Sequence, residues 1–303
     1  MILSVVVPIV SMDRYEDIID LVNSLKLQSQ DDVEILIVVG RIKAIYEKLK
    51  LDPRASSSRV LYNPGDWSLS AQRNYAIGFA KGDLIGFLDD DVVTSNSWVQ
   101  SVKLAFSRPL VIGLTGPVEP LWLDGKQRVP NYLNWVISCT SWIRLADGQE
   151  VPYTYGGNMV FRREIFDSYN LKFSTQIGLG GTNPYAINED SEFSIRAREA
   201  CGGKIIWCVG ATVFHKIKPR RTSYRNLIRR SFSVGYTQYV GRRIQSSAYS
   251  EMSALALKSL LRGLRDFASS DSVSRTLLPR YGLQSLIILL SFALGFLYGT
   301  RGH

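Results

Sequence analysis

Apolar and polar positions in the first third of the chain switch between two periods. Residues 2–7, 34–39, 59–62, 84–88 and 110–114 are short runs rich in Val, Ile and Leu, the pattern of strands buried on both faces. Between them lie stretches with apolar residues at helical spacing: 14–28, with Tyr15, Ile18, Ile19, Val22 and Leu25 on one side, then 42–50, 70–80 and 97–106. Ser70 is the N-cap expected for the third of these. Strand and helix alternate, so the expected class is α/β, with a Rossmann-like, mostly parallel sheet covered by helices.

Residues 121–151 break the pattern. Trp122, Tyr132, Trp135 and Trp142 gather there without a clean period, which suits either an aromatic-rich subdomain core or an aromatic wall for a ligand. Helical spacing returns at 191–200, and a strand-like run starting at Lys204 ends at His215. Beyond it, 220–243 reads as one or two basic helices, and 253–267 as an amphipathic helix suited to a headgroup plane. Residues 283–298 are nearly all apolar and as a helix would reach about 25 Å. That is short for a hydrocarbon core of about 30 Å, so spanning, re-entrant and interfacial placements all remain open, as does a buried soluble helix. Three regions follow: an α/β domain over 1–217, basic amphipathic interfacial helices over 218–270 and a hydrophobic membrane segment over 271–303.

Charge sharpens this division. The net charge is +9, and twelve basic residues between Lys216 and Arg265 face Glu251 alone. The partner of that segment is anionic. Its position beside an apolar tail favours anionic membrane lipids, and no nucleic-acid partner is expected. The three cysteines are an odd number without a C-x-x-C pair, which suits reduced core thiols in a cytosolic setting. The chain opens straight into a strand with no basic stretch ahead of it, so no secretory signal is expected.

The candidate chemistry begins at Leu84-Ile-Gly-Phe-Leu-Asp89-Asp90-Asp91, where three carboxylates stand at the C-terminal end of a buried strand. Ligands of open α/β sheets bind at that end. Carboxylates crowded there repel one another unless a cation joins them, and a divalent metal carrying a diphosphate fits. Upstream runs Ser70-Ala-Gln-Arg73-Asn74-Tyr75, then Gly82-Asp83. Downstream come Tyr155-Gly156-Gly157-Asn158-Met-Val-Phe161-Arg162, then Asn188-Glu189-Asp190, then His215. From residue 2 to about 215 this order resembles family-2 glycosyltransferases, the inverting GT-A enzymes, with their R-N, G-D, D-x-D, G-x-N and E-D elements.

The resemblance implies a role for each position. Asp91 would ligate Mn²⁺ or Mg²⁺ with His215 completing the metal site, and Asp89 would lie nearer the donor ribose. Asp190 would be the general base. Pro8, Arg73, Gly157, Asn158, Glu189, Arg229 and Arg230 would line the donor, with Asn158 on a sugar hydroxyl and the arginines on phosphate. The implied partners are a nucleotide-sugar donor and a polyprenyl-phosphate or lipid-linked glycan acceptor, at a membrane with the catalytic domain on the cytoplasmic side. The C-terminal arrangement also resembles archaeal mannosyltransferases of lipid-linked glycan assembly, which makes GDP-mannose the favoured donor. A polyprenyl-phosphate sugar synthase using a UDP-hexose and a non-catalytic relative are the alternatives.

Two departures limit the likeness. Family members usually end the second strand with acids, whereas this one ends Val38-Val39-Gly40-Arg41. The Q-x-x-R-W element of processive synthases is missing, so a single transfer is expected. A nucleotidyltransferase would need a Gly-rich loop after the first strand, which Val5-Val-Val-Pro8-Ile-Val10 does not supply.

Overall fold

The computed structural model describes residues 1–28, 32–183, 185–244 and 274–301. The chain forms two compact units. The first comprises Met1–Pro117, Leu145–Pro184 and Asn188–His215; the second Val118–Arg144, Tyr185–Ile187 and Lys216–His303. The aromatic-rich stretch therefore groups with the C-terminal part of the chain rather than with the α/β unit.

In chain order the elements are β1 (Leu3–Ile9), α1 (Tyr15–Lys26), β2 (Val33–Val39), α2 (Lys43–Leu51), β3 (Ser58–Tyr62), α3 (Leu69–Ile77), β4 (Leu84–Leu88), β5 (Val92–Thr94), α4 (Trp98–Ala105), β6 (Val111–Thr115), β7 (Val118–Trp122), β8 (Asn158–Arg162), α5 (Glu164–Asp167), α6 (Glu189–Cys201), β9 (Lys204–Trp207), β10 (Val213–Ile217), α7 (Tyr224–Ile244) and α8 (Ser274–Arg301). The main sheet of the first unit has the order β3-β2-β1-β4-β8-β6-β9. Its strands are parallel except for β8, which runs antiparallel to both β4 and β6. Every residue of β1, β4 and β6 is buried, as strands covered on both faces require.

The sequence misplaces one cap. The third helix starts at Leu69, and Ser68 is its N-cap, with its hydroxyl accepting from the Ala71 N–H. Ser70 lies inside the first turn and is buried. Cys139 and Cys208 are buried and Cys201 is half-buried, all as free thiols.

A phenylalanine cluster under the sheet sets the position of α6. Phe193 stacks on Phe173 with ring centroids 4.1 Å apart and on Phe166 at 5.5 Å. It meets the edge of Phe161 from β8 at 5.1 Å. Five phenylalanines, with Phe87 of β4 the fifth, belong to one core that also holds Val6, Leu36 and Ile85 from the sheet. Aromatic contacts of this kind add about 0.5–1.5 kcal/mol per pair beyond area burial. They hold α6 against the sheet, where it packs on β6 and β9.

The second unit is described by itself. Residues Asn131–Ile137 form a 3₁₀ helix, and α7 packs along α8. Leu283–Thr300 within α8 is long and apolar enough to cross a membrane by length and composition. The amphipathic segment expected over 253–267 lies outside the described residues.

Candidate active site

The three acids after β4 point to different neighbours. Asp90 is buried and turns toward the end of β1, where its Oδ2 accepts from the Val10 N–H at 3.4 Å. Burial and the adjacent Asp91 push its carboxyl well above the usual range, with Arg14 opposing them. Asp91 is also buried. Its Oδ2 lies 3.0 Å from His215 Nε2 and 2.6 Å from Arg14 Nη1. His215 reaches this place because β10 pairs antiparallel with β5, the strand that follows the acids, with His215 opposite Val92.

Asp91 and His215 are directly hydrogen-bonded, at a distance that two ligands of one ion would also keep. Adjacent ligands of an octahedral ion with bonds near 2.1 Å are about 3.0 Å apart. Among the described residues no group of three His, Cys, Asp or Glu side chains could hold an ion. Were Asp91 and His215 to hold a hard cation, phosphate oxygens and water would have to supply its other ligands. The Arg14 guanidinium supplies the positive charge on Asp91 here. If both groups ligate, His215→Ala weakens Mn²⁺ binding about 10–100-fold, read by titration calorimetry or by EPR of free Mn²⁺, while the fold is retained. Unchanged Mn²⁺ affinity would remove His215 from the ligand set.

A second group of acids gathers across the Gly156-Gly157 turn. A Cβ on Gly156 would lie 3.1 Å from Asp190 Oδ2, and one on Gly157 3.2 Å from Asp89 Oδ2. Both glycines leave the room that these carboxylates occupy. Arg73, itself buried, lies between them: its Nη1 donates to Glu189 Oε1 at 2.7 Å and its Nη2 stands 3.8 Å from Asp89 Oδ1. The guanidinium also lies over the Phe173 ring, 5.3 Å from its centroid. Gly178 adopts a left-handed φ of +89°, and a Cβ there would collide with Glu189 Oε2 at 2.5 Å. Glycine suits that position on both counts.

Asp190 is the second residue of α6 and is half-buried. Burial, then the Glu189 charge, raise its pKa to about 7, while Arg73 and the backbone N–H groups of Ser191 and Gly156 pull the other way. A carboxylate with that affinity for protons is suited to general-base work near neutrality. The same burial, with Asp190 nearby, keeps the Tyr155 phenol protonated.

Asn158 needs a correction. The sequence reading gives it a sugar hydroxyl, but it is fully buried and both ends of its amide are engaged by the protein. Its Oδ1 accepts from Trp98 Nε1 at 2.9 Å, and its Nδ2 donates to the Ala211 carbonyl at 2.7 Å and toward Pro117 O at 3.4 Å. It ties α4, β8 and the 208–211 turn together. Asn158→Ala leaves a buried indole N–H and a carbonyl without partners. The expected loss is about 2–4 kcal/mol of stability, measured by urea unfolding, with Gly156 and Gly157 displaced as a consequence. A loss within about 0.5 kcal/mol would mean that the amide is not what holds the turn.

The other expected donor residues are dispersed. Pro8 is buried on β1, in register with Val38. Gln72, which the sequence reading passes over, accepts from the Ile9 N–H at 3.2 Å and donates to Trp67 O at 3.0 Å, joining the end of β1 to the turn before α3. In the second unit, Arg229 is exposed on α7, and Arg230 donates to the Val136 carbonyl and to Ser138. Arg14, Gln72 and Trp98 are the site residues that sequence reasoning missed. Each acts through a partner more than fifty positions away, which no local period records.

A family model described as "Glycosyl transferase family 2" matches residues 4–169, more than half of the chain and all of the D-x-D strand. The chain belongs to glycosyl transferase family 2. Over 98% of its length it is 26% identical to the glucosyl-dolichyl phosphate glucuronosyltransferase of Haloferax volcanii, covering 95% of that protein. Over 62% of its length it is 28% identical to the glycosyltransferase EpsJ of Bacillus subtilis, covering 55% of it. Among solved structures it resembles the mannosyltransferase PcManGT of Pyrobaculum calidifontis, crystallised with GDP-Man and Mn²⁺, with a TM-score of 0.62 at 15% identity over 98% of this chain and 87% of that one. S. aureus TarS follows with a TM-score of 0.51 at 16% identity, over 98% of this chain and 81% of the other. These likenesses show a GT-A fold. Membership of the family makes the chain a glycosyltransferase, and the full-length relative of known activity works on a lipid-linked sugar.

Proposed function

We propose that this protein moves a single hexose from a nucleotide donor onto a hydroxyl of a sugar carried by a polyprenyl phosphate, with inversion at the sugar's C1. The observation that carries this is Asp190, half-buried, raised to about 7 and set against the Gly156-Gly157 turn, whose other glycine meets Asp89. A phosphate acceptor is already ionised and needs no base. A hydroxyl does, and a carboxylate with a raised pKa takes its proton as the oxygen attacks. The Haloferax relative supports the same acceptor, since its name places a sugar on glucosyl-dolichyl phosphate.

Asp89 would face the donor, with the buried Arg73 guanidinium 3.8 Å from its Oδ1. Asp91 and His215 would hold Mn²⁺ or Mg²⁺, which neutralises the leaving diphosphate when bound. In the second unit Arg229 is exposed on α7, whereas Arg230 is engaged by Val136 and Ser138. For the donor, GDP-mannose is the reading from the C-terminal arrangement. A nucleotide-activated hexuronate is the second reading, favoured by the glucuronosyl transfer in the relative's name. Catalysis takes place at the cytoplasmic face of a membrane.

The test is transfer itself. Purified protein in detergent receives Mn²⁺, a membrane-lipid extract and labelled GDP-mannose, UDP-glucose or UDP-glucuronate in turn. Label entering the lipid phase from one donor identifies the sugar. Label that mild acid releases as a monosaccharide would show a lipid-phosphate acceptor and overturn the hydroxyl reading, whereas release as a disaccharide or longer glycan supports it.

A further inference from the structure

Among its described residues, the second unit carries an apolar face that packing leaves open. On α8, Leu283, Leu286, Leu290, Leu294 and Leu297 follow one another at intervals of three and four residues and are each 54–61% exposed. Leucines spaced in this way lie along one side of a helix, forming a ridge about 21 Å long. Single exposed leucines are ordinary, but a continuous ridge of them marks a contact surface.

The opposite side of α8 is committed to the protein. Ser285 Oγ bonds Tyr132 Oη at 2.9 Å, Gln284 Nε2 donates to the Arg128 carbonyl at 3.1 Å, and Ser231 of α7 donates to the Ile288 carbonyl. Glycines bring the two helices together. A Cβ on Gly235 would lie 2.0 Å from Phe292 O, and one on Gly295 2.0 Å from Phe232 O. Ser231 meets Ile288, Gly235 meets Phe292 and Tyr239 meets Gly299, so the helices run parallel and stay in register. Arg229 and Arg230 therefore lie level with Leu286 and Ile287, inside the apolar length of α8.

This register argues against spanning. The uncharged part of α7, residues 231–241, is about 16 Å long as a helix, against a hydrocarbon core of about 30 Å. Inserting α8 across a bilayer would carry its bonded partner, with arginines at both ends of that short stretch, into the apolar layer. A helix lying in the plane of one leaflet avoids this. Its leucine ridge enters the acyl boundary while the arginines remain at headgroup level.

The charge around the ridge selects the partner. Lys216 to Ile244 contains nine basic residues and no acid, and Arg220, Arg225 and Arg229 are exposed. An anionic lipid surface complements that charge, whereas a second copy would set like charge against like. At one end of the ridge Tyr298, half exposed, joins Tyr185, Phe232 and Tyr236 in a cluster with neighbouring ring centroids 5.6–6.2 Å apart. Tyrosines of this kind favour the headgroup level.

We infer that α8 is a monotopic membrane foot: its Leu283–Leu297 ridge lies flat in one leaflet of an anionic bilayer and does not cross it. The inference rests on the lipid-linked acceptor proposed above, and its test needs no sugar transfer. Full-length protein with Cys201→Ala, to silence the half-buried thiol, receives a single cysteine at Leu283, Leu290 or Leu297, labelled with bimane. Each protein binds vesicles of phosphatidylcholine with phosphatidylserine, and depth is read with lipids quenched at defined positions. The expected result is the same shallow depth at all three sites. A profile deepest at 290 and shallow at 283 and 297 would mean a span and overturn the inference.

The triple variant Leu286→Gln, Leu290→Gln, Leu294→Gln removes only exposed apolar groups and should retain its fold by circular dichroism. Its partition to these vesicles falls about 10-fold or more. Vesicle binding unchanged in this variant, or failure to bind vesicles together with a doubled mass in light scattering, would also overturn it. Should the foot bind as described while no lipid-linked acceptor is glycosylated, it is the proposed function that fails.

Discussion

Asp190→Asn is expected to lower the rate of sugar transfer by on the order of 10²–10⁴-fold and to leave nucleotide-sugar binding within about twofold. The amide occupies the same volume and can still meet the N–H of Gly156 through its oxygen, but it cannot accept the acceptor's proton. The two effects separate only if Asp190 serves the acceptor. Equal loss of binding and turnover would place it on the donor instead. In the unmodified enzyme, kcat/KM rises with pH through the Asp190 pKa, about 7, as the base deprotonates. Stability moves the opposite way. The folded carboxyl holds its proton to higher pH than the unfolded one, so this group's contribution is complete at acid pH and is lost as pH rises through about 7. Asparagine carries no such penalty. Asp190→Asn should therefore melt above the parent at pH 8 and lose that advantage at pH 4, measured by calorimetry at both values. A variant that is inactive yet more stable at alkaline pH is the signature of a base held in an unfavourable site.

The β-α-β alternation as far as β6 was legible because β1, β4 and β6 are buried on both faces and each helix shows its period locally. The antiparallel insertion of β8 between β4 and β6 was not, because most of the chain joining β6 to β8 belongs to the other unit and leaves no turn signature at either end. The acids of the site announced themselves as carboxylates at a strand end and a helix start. Their counter-charges did not. Arg14 reads in sequence as the first residue of an amphipathic helix, and only the fold brings it 2.6 Å from Asp91, 77 positions later. Asn158 was misassigned for the same reason. A polar residue beside two glycines looks like a ligand contact until the indole of Trp98 is found on it. The leucine ridge of α8 was visible only as hydrophobicity. Which side faces outward depended on which serines and glycines contact α7.

Arg73→Met is expected to cost about 3–5 kcal/mol of folding stability, the usual consequence of removing one partner of a buried ion pair. The guanidinium is almost wholly enclosed and lies among Glu189, Asp89 and the Gly156 carbonyl. Methionine fills much of the volume over Phe173 but leaves Glu189 with a negative charge in a dry site. At roughly 2–4 °C per kcal/mol for a chain unit of this size, the melting temperature falls by about 10 °C. Lysine is a poor substitute, since one ammonium cannot serve Glu189 and Asp89 with the geometry of a planar fork. The double variant Arg73→Met, Glu189→Gln removes both charges and should recover most of the loss, which makes the pair measurable by a double-mutant cycle. A cost below about 1 kcal/mol for Arg73→Met alone would show that water reaches Glu189 and that the pair is not dry. The pair also acts on Asp190. Arg73 lowers the pKa of the base and Glu189 raises it. Glu189→Gln should thus move the midpoint of the pH–rate profile to lower pH, and Arg73→Met should move it higher. Opposite displacements from the two halves of one ion pair would show that it sets the proton affinity of the base, which a role confined to holding the fold together would not produce.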